Sequence, residues 1–216
     1  MKPRYVPPTV EKITDEYIDS IAPLLMSCGG IYGGGGGSSS SYRTIYILNS
    51  EYGLPPFGHS AILLERIDKS VELFSFHPHD NHTGTTTTGS VATIATENDA
   101  ASFTAFRNVC RSNGGVVVDN AYMKWSEPFN RYIELSISPN SYAAIRGLGN
   151  KRKANPPDYN AVGYNCQNFV NQLLAAGNII LCSNRLSLYS EIIPNKVYQE
   201  ADRTTINVAY FGKEYL

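Results

Sequence analysis

Cys166 lies at the start of a segment whose apolar residues recur with the spacing of an α-helix. The apolar positions three, four, seven and eight residues after it are Phe169, Val170, Leu173 and Leu174. Asn165 belongs to the residue types that cap helix N-termini, and Gly177 stands where a left-handed residue would end the helix. The spacing therefore predicts a helix of about three turns with Cys166 in its first turn.

A cysteine in that position is suited to nucleophilic chemistry. The unpaired N–H groups and the positive end of the helix dipole stabilise a thiolate, and the same N–H groups can stabilise the oxyanion of a tetrahedral intermediate. A nearby imidazole would complete the activation. The alternative interpretation is a buried structural cysteine in line with Phe169 and Val170, and the spacing alone does not decide between the two.

His59 is the candidate imidazole. It follows Gly58 at the start of a predicted strand, so its side chain is expected at the rim of a sheet. On the next predicted strand, Ser75 and His77 share one face because strand side chains alternate with a period of two. Either of them is a candidate to orient His59.

All four histidines lie between His59 and His82, which raises the question of a metal site. His77, His79 and His82 have the spacing i, i+2 and i+5 around a threonine-rich loop, and this pattern is a weak signal for metal binding. No metal site and no cofactor are therefore predicted, and His79 and His82 are expected to be solvated.

Short strands and amphipathic helices must position these residues. Strands are predicted at 44–48, 60–65, 71–76, 90–96, 116–118 and 131–137. Helices are predicted at 9–27, 97–113 and 139–148, a flexible glycine and serine linker at 33–41, and a basic loop at 151–159. The pattern indicates a β-containing domain with long polar loops.

The composition excludes several classes of protein. With 18 Lys plus Arg against 19 Asp plus Glu, the net charge is −1, which lacks the basic excess of an electrostatic nucleic-acid binder. A hydrophobic content of 42% argues against disorder, and 216 residues can form one domain, or a compact pair, with a real core. No apolar run approaches the roughly 18 residues that would predict an integral membrane segment.

The N-terminal residues and the cysteines bear on the cellular setting. No charged start is followed by an apolar run, so we expect cytoplasmic synthesis without a Sec signal, with export by a non-Sec route left open. The four cysteines form no C-x-x-C pair and are expected to be free thiols. Cys28, Cys110 and Cys182 are expected to be structural.

The combination of these motifs resembles the circularly permuted NlpC/P60 superfamily of papain-like enzymes, which includes lecithin:retinol acyltransferase-like enzymes and bacterial hydrolases and effectors. The matching pieces are GHSAILLE at 58–65, LFSFHP at 73–78 and YNCQNFVNQLL at 164–174. In ordinary papain-like enzymes the cysteine helix precedes the histidine strands, whereas here the order is reversed, as in the permuted group. The resemblance covers about residues 42 to 182.

The resemblance implies an α+β, permuted papain-like fold, with an antiparallel sheet of about five strands and the Cys166 helix packed on it. The catalytic domain would span 42–182. A helical extension over 1–32 and the linker 33–41 would precede this domain, and a C-terminal extension over 183–216 would pack on it.

The resemblance also implies roles for the candidate residues. Cys166 would be the nucleophile, and His59 would act as the general base and later as the general acid. Acyltransferase-like members place a histidine on the second strand. Here Ser75 stands at the closest matching place and His77 follows two residues later, so the residue that orients His59 stays open.

The implied reaction is hydrolysis of an amide or peptide bond through an acyl-enzyme on Cys166. The backbone N–H of Cys166 or Gln167 would contribute to the oxyanion hole, and Asn165 would act as the helix cap, with assistance to the oxyanion as a second role. The substrate would be a peptide, a cell-wall peptide or a modified side chain. A toxin-type bacterial effector would also have an immunity protein or secretion machinery as a partner.

Two alternatives to this reaction stay open. The first is a lipid acyltransferase or phospholipase of the acyltransferase-like branch, whose members usually carry a hydrophobic membrane anchor that is not visible here. The second is a catalytically inactive binding domain on the same scaffold, because the residue that orients His59 is uncertain.

Overall fold

Nine strands and four helices make up the part of the chain that the structure describes. This structure, a computed structural model, describes residues 42–51, 58–79, 87–112, 114–161, 163–179 and 208–211. The strands are β1 Arg43–Ser50, β2 His59–Glu65, β3 Val71–Pro78, β4 Thr87–Ile94, β5 Val116–Asp119, β6 Lys124–Glu127, β7 Arg131–Ile137, β8 Asp158–Tyr159 and β9 Val208–Tyr210. The helices are α1 Glu97–Ala100, α2 Phe103–Ser112, α3 Pro139–Ala154 and α4 Cys166–Ala176. None of these four helices combines the length and the apolar character needed to cross a membrane.

The strands form an antiparallel sheet, so the fold is mixed α+β. Eight strands follow one another in the order β6-β5-β4-β3-β2-β1-β7-β9, and β8 pairs with β4 beside this path. The predicted count of about five strands is not confirmed. Short strands of two to four residues, namely β5, β6, β8 and β9, widen the sheet.

Each face of the central strands buries an apolar cluster. Alternate residues go to opposite clusters, so that in β1 Ile45 and Ile47 belong to the first and Tyr46 and Leu48 to the second. Helix α4 packs its apolar stripe on the first cluster, and α2 packs on the second. Burial on both faces explains why β1 and β2 are nearly continuous apolar runs in the sequence.

Two helices differ from those predicted. The predicted helix 97–113 is interrupted at residues 101–102 and forms α1 and α2. Helix α3 continues through Ala154, where the sequence predicted part of a basic loop. Its basic last turn complements the helix dipole. The helix ends with Asn155 as its C-cap, because Pro156 disfavours helical backbone at the residue before it.

Helix α4 ends near Gly177, but this glycine does not adopt the predicted left-handed conformation. Its φ is −84°, and Asn178 takes the positive φ of 55° instead. A Cβ atom on Gly177 would lie 2.8 Å from the Ile145 side chain. The glycine is therefore required by the close approach of α3 to α4.

Residues 208–211, from the predicted C-terminal extension, are part of the sheet and the core. Strand β9 pairs with β7, and Phe211 is 2% exposed, with its ring against those of Phe106 and Tyr132. The predicted features that lie outside the described residues are the helix 9–27, the linker 33–41, Cys28, Cys182 and His82.

Candidate functional site

Helix α4 places Cys166 in its first turn, as the sequence predicts. The Asn165 side-chain oxygen accepts hydrogen bonds from the backbone N–H groups of Gln167, at 2.9 Å, and Asn168, at 3.2 Å. The Asn168 side chain in turn accepts from the Asn165 N–H at 3.1 Å. This reciprocal cap fixes the start of the helix and therefore the position of Cys166, which is 4% exposed.

Gln167 joins the N-terminus of α4 to the strand that carries His59. Its Oε1 accepts a hydrogen bond from Ser60 Oγ at 2.7 Å, and its Nε2 donates within the helix. Its backbone N–H is engaged by Asn165. The N–H of Cys166 is thus the first-turn donor that the cap does not use, which makes it the donor available to an oxyanion.

His59 begins β2 and contacts Cys166. The two residues lie far apart in the sequence, yet the Cys166 side chain lies close enough to the imidazole to raise the pKa of His59. The backbone of His59 is fixed by the Asn49 side chain, which donates to its carbonyl at 3.0 Å. The structure therefore brings the predicted nucleophile and the predicted base together.

A buried polar network surrounds the Nε2 atom of His59. Ser75 Oγ lies 2.8 Å and Glu127 Oε1 2.9 Å from this nitrogen. His77 Nε2 reaches the same two atoms, at 2.7 Å from Ser75 and 3.1 Å from Glu127, and its ring stacks on that of His59. Ser75 therefore contacts His59 directly, and His77 is linked to it through Ser75 and Glu127.

The hydrogen-bond partners indicate where the protons of this network lie, because the ionised carboxylate of Glu127 can only accept. The Ser75 hydroxyl donates to Glu127 Oε2 at 3.0 Å, so its oxygen is an acceptor toward both imidazoles. His59 and His77 then each carry a proton on Nε2. With that nitrogen of His59 directed at Glu127, Nδ1 is left for the Cys166 thiol, which is the orientation that a general base needs.

Glu127 is the member of the network that the sequence analysis missed. It ends the short strand β6 and is 3% exposed. Its neighbours two residues away, Trp125 and Phe129, are aromatic, and it is the single carboxylate between Asn120 and Asn130. An acid flanked in this way on alternating positions is the signal that would have indicated a buried carboxylate.

The curl of the sheet carries Glu127 to His59. Strand β6 is the edge strand, four places from β2 in the strand order, yet the Glu127 carboxylate contacts side chains of β2 and β3. Gly115 permits the adjoining backbone to pack tightly there. Its φ is +148°, and a Cβ atom would lie 2.6 Å from the Glu127 carbonyl carbon.

The electrostatics place one positive charge beside the Glu127 carboxylate. Burial would lower the pKa of His59, but the neighbouring Glu127 and Cys166 raise that pKa to about 10. Burial lowers the pKa of His77, and the nearby His59 adds to this lowering despite Glu127. Burial would raise the pKa of Glu127, but the two imidazoles hold it well below its ordinary value. At neutral pH His59 is therefore charged, His77 neutral and Glu127 ionised.

Cys110 and His79 lie outside this network. Cys110 packs in the second apolar cluster, where burial raises the pKa of its thiol to about 12. It is therefore a protonated core residue at neutral pH. The His79 ring packs against Tyr122, with ring centroids 3.5 Å apart.

We expect the stability contributed by the network to be greatest between pH 4.5 and pH 6.5, the ordinary pKa values of Glu and His. The low pKa of Glu127 stabilises the fold above pH 4.5, and this contribution is lost as pH falls toward the folded-state pKa. The raised pKa of His59 stabilises the fold fully below pH 6.5, and this contribution is lost as pH rises through about 10. The lowered pKa of His77 reduces stability below pH 6.5 and so moves the maximum toward that value.

Chemical denaturation of the wild type and of Glu127→Gln across this pH range measures the contribution. The difference between their free energies of unfolding should shrink as pH falls below 4.5 and as pH rises from 6.5 through about 10. A difference that is constant with pH would contradict the assigned charges.

Comparisons of the chain with protein-family models, with curated proteins and with solved structures find no significant match. The function is therefore argued from the geometry of the site.

Proposed function

We propose that the protein is a thiol hydrolase that cleaves an amide or peptide bond through an acyl-enzyme on Cys166, on a permuted papain-like scaffold of the NlpC/P60 type. One observation carries the proposal. The Cys166 thiol, at the N-terminus of α4, lies beside the His59 imidazole, and Nε2 of this imidazole lies 2.9 Å from the Glu127 carboxylate.

In the acylation step, Cys166 Sγ forms a bond to the substrate carbonyl carbon, and the carbonyl oxygen takes up the negative charge. The Cys166 N–H, at the positive end of α4, is the donor that stabilises this oxyanion. His59 then gives a proton to the leaving nitrogen as the C–N bond breaks. The amine departs neutral, and Cys166 carries the acyl group as a thioester.

Hydrolysis of the thioester requires His59 as a base. Once Cys166 is acylated, the sulfur no longer supplies the charge and the hydrogen bond that help to raise the pKa of His59. That pKa falls, so the imidazole can take a proton from the water that attacks the thioester. Glu127 holds the Nε2 proton and stabilises the imidazolium that forms.

The charge on His59 supports an amide rather than an ester substrate. A nitrogen leaving group needs a proton before it departs, and an imidazolium held by Glu127 supplies one. Transfer from a lipid ester is the alternative that the family resemblance implies. The same resemblance implies a toxin-type effector, with an immunity protein or secretion machinery as its partner.

Incubation of the purified protein with peptidoglycan fragments, a peptide library and phospholipid vesicles tests the substrate class. We expect new amino groups from peptide-containing substrates and no release of fatty acid from vesicles. Release of fatty acid without new amino groups would show that the substrate is an ester rather than an amide. If the wild type turns over none of these substrates, the inactive binding domain becomes the better interpretation.

We expect Cys166 to react with iodoacetamide at neutral pH at least about tenfold faster than Cys110. Solvent exposure does not account for the difference in labelling rate, because Cys166 is 4% exposed and Cys110 is 9% exposed. The cause is the imidazolium beside Cys166, whereas burial raises the pKa of the Cys110 thiol to about 12. Peptide mass spectrometry at increasing labelling times measures both rates.

Two histidine variants provide the comparison for this experiment. His59→Ala should slow the labelling of Cys166 toward the Cys110 rate, whereas His79→Ala should leave it unchanged because His79 packs against Tyr122. Equal rates for Cys166 and Cys110 in the wild type would argue against an activated thiol.

A further inference from the structure

The network around Glu127 presents three metal-ligand atoms to one point. One donor atom each from His59, His77 and Glu127 lies within 4.8 Å of the others. The carboxylate oxygen Oε1 is 2.9 Å from one imidazole nitrogen and 3.1 Å from the other. The three residues come from β2, β3 and β6, so strand pairing and the curl of the sheet hold these atoms together.

Two imidazole nitrogens and one carboxylate oxygen form a donor set that zinc and similar divalent ions favour. Bonds of about 2.0 to 2.2 Å in a tetrahedron place donor atoms roughly 3.3 Å apart. The two oxygen–nitrogen separations are a few tenths of an ångström shorter, and the two imidazole nitrogens lie within 4.8 Å of each other, so side-chain rotations can bring all three atoms to this spacing. Ser75 Oγ, at 2.8 Å and 2.7 Å from the two nitrogens, already holds both imidazoles toward this point.

We propose that His59, His77 and Glu127 bind a divalent ion of the zinc type, and that the ion inhibits the thiol site. The ion takes the place of the Nε2 proton of His59, which passes to solvent, and neutral His77 binds the ion through Nε2 with its single proton moved to Nδ1. This set differs from the loop histidines His77, His79 and His82 that the sequence suggested, because only His77 belongs to both.

Inhibition follows from the protons of His59 and, unlike metal binding itself, rests on the proposed thiol hydrolysis. With Nε2 bound to the ion, the ring keeps one proton, on Nδ1. The imidazole then cannot accept a further proton from water or a thiol, and metal-bound imidazole is a weak acid. His59 thus loses the proton cycle that acylation and deacylation require.

Equilibrium dialysis of the full chain against zinc chloride, followed by elemental analysis, tests the site directly. We expect about one specifically bound ion per chain in the wild type and in Cys166→Ser. Affinity should fall at least about tenfold in Glu127→Gln and in His77→Ala, while the matched variant His79→Ala keeps it. If Glu127→Gln folds poorly, His77→Ala tests the site instead. The His77 side chain is 18% exposed, so its removal should disturb the fold less than a change at the buried Glu127.

The outcomes separate the metal site from the proposed reaction. Zinc that binds equally well to wild type, Glu127→Gln and His77→Ala would overturn the site, since other thiols or histidines would then be the ligands. Zinc binding at the site without turnover of any substrate would keep the site and overturn the thiol hydrolase. We expect zinc to inhibit turnover by the wild type, EDTA to restore it, and zinc to inhibit His77→Ala less strongly. This result would support both the metal site and the thiol hydrolase.

Discussion

Replacing Cys166 by serine should lower kcat/KM by at least about a thousandfold while leaving the fold intact. A serine hydroxyl stays protonated beside His59 and is a far weaker nucleophile than a thiolate. The start of α4 does not depend on the sulfur, because the side chains of Asn165 and Gln167 hold it. We therefore expect the free energy of unfolding to change by no more than about 1 kcal/mol.

Turnover of the best peptide substrate and chemical denaturation measure the two effects. Cys110→Ser is the matched control, because it removes the sulfur of the other described cysteine, in the second apolar cluster. It should reduce stability by about 1 kcal/mol and leave the kcat/KM of the folded protein near that of the wild type. Full turnover by Cys166→Ser would exclude the acyl-enzyme on this residue.

Glu127→Gln should lower kcat by about a hundredfold to ten-thousandfold with little change in KM. Glu127 is a positioning residue, since it acts on the reaction through His59. Loss of its negative charge lowers the pKa of His59, so less imidazolium is present to protonate the leaving amine. The alkaline limb of the pH profile of kcat should therefore shift to lower pH.

The same substitution should lower the free energy of unfolding by about 3 kcal/mol near pH 6. The value lies at the lower end for a broken buried ion pair, because an imidazole can lose its proton when the carboxylate is removed. Glu134→Gln, an exposed carboxylate on β7, is the matched control and should change neither kcat nor stability measurably. If Glu127→Gln keeps the pH profile of the wild type, the Glu127 carboxylate has no role in the mechanism.

Local patterns predicted the part of the site that depends on one helix and one pair of strands. The helical spacing after Cys166 and the capping residue Asn165 located the start of α4. The period of two placed Ser75 and His77 on one face of β3. Glu127 escaped prediction because its strand, KWSE, has only four residues and one large apolar side chain. Its place beside His59 results from the curl of the whole sheet, which no local pattern encodes.

The fold was predictable to a similar depth. The strand β7 has the predicted bounds, Arg131–Ile137, because its residues alternate clearly. The two-residue strand β8 and the three-residue strand β9 have too few positions to show an alternation, so the sheet is wider than predicted. Helix α3 runs past its predicted end because the basic run Lys151–Lys153, which is typical of an exposed loop, also suits the last turn of a helix.

Strand β9 and Phe211 determine how far the chain must extend to fold. A chain cut after residue 182, where the resemblance places the end of the domain, would lose Phe211 from the second apolar cluster. Loss of a core phenylalanine costs about 3 to 5 kcal/mol, a large part of the 5 to 15 kcal/mol that typically stabilises a domain. The cut would also uncover the edge of β7, whose free backbone groups could then pair with another molecule. The autonomous folding unit therefore reaches at least to Phe211, and a shorter chain is expected to aggregate.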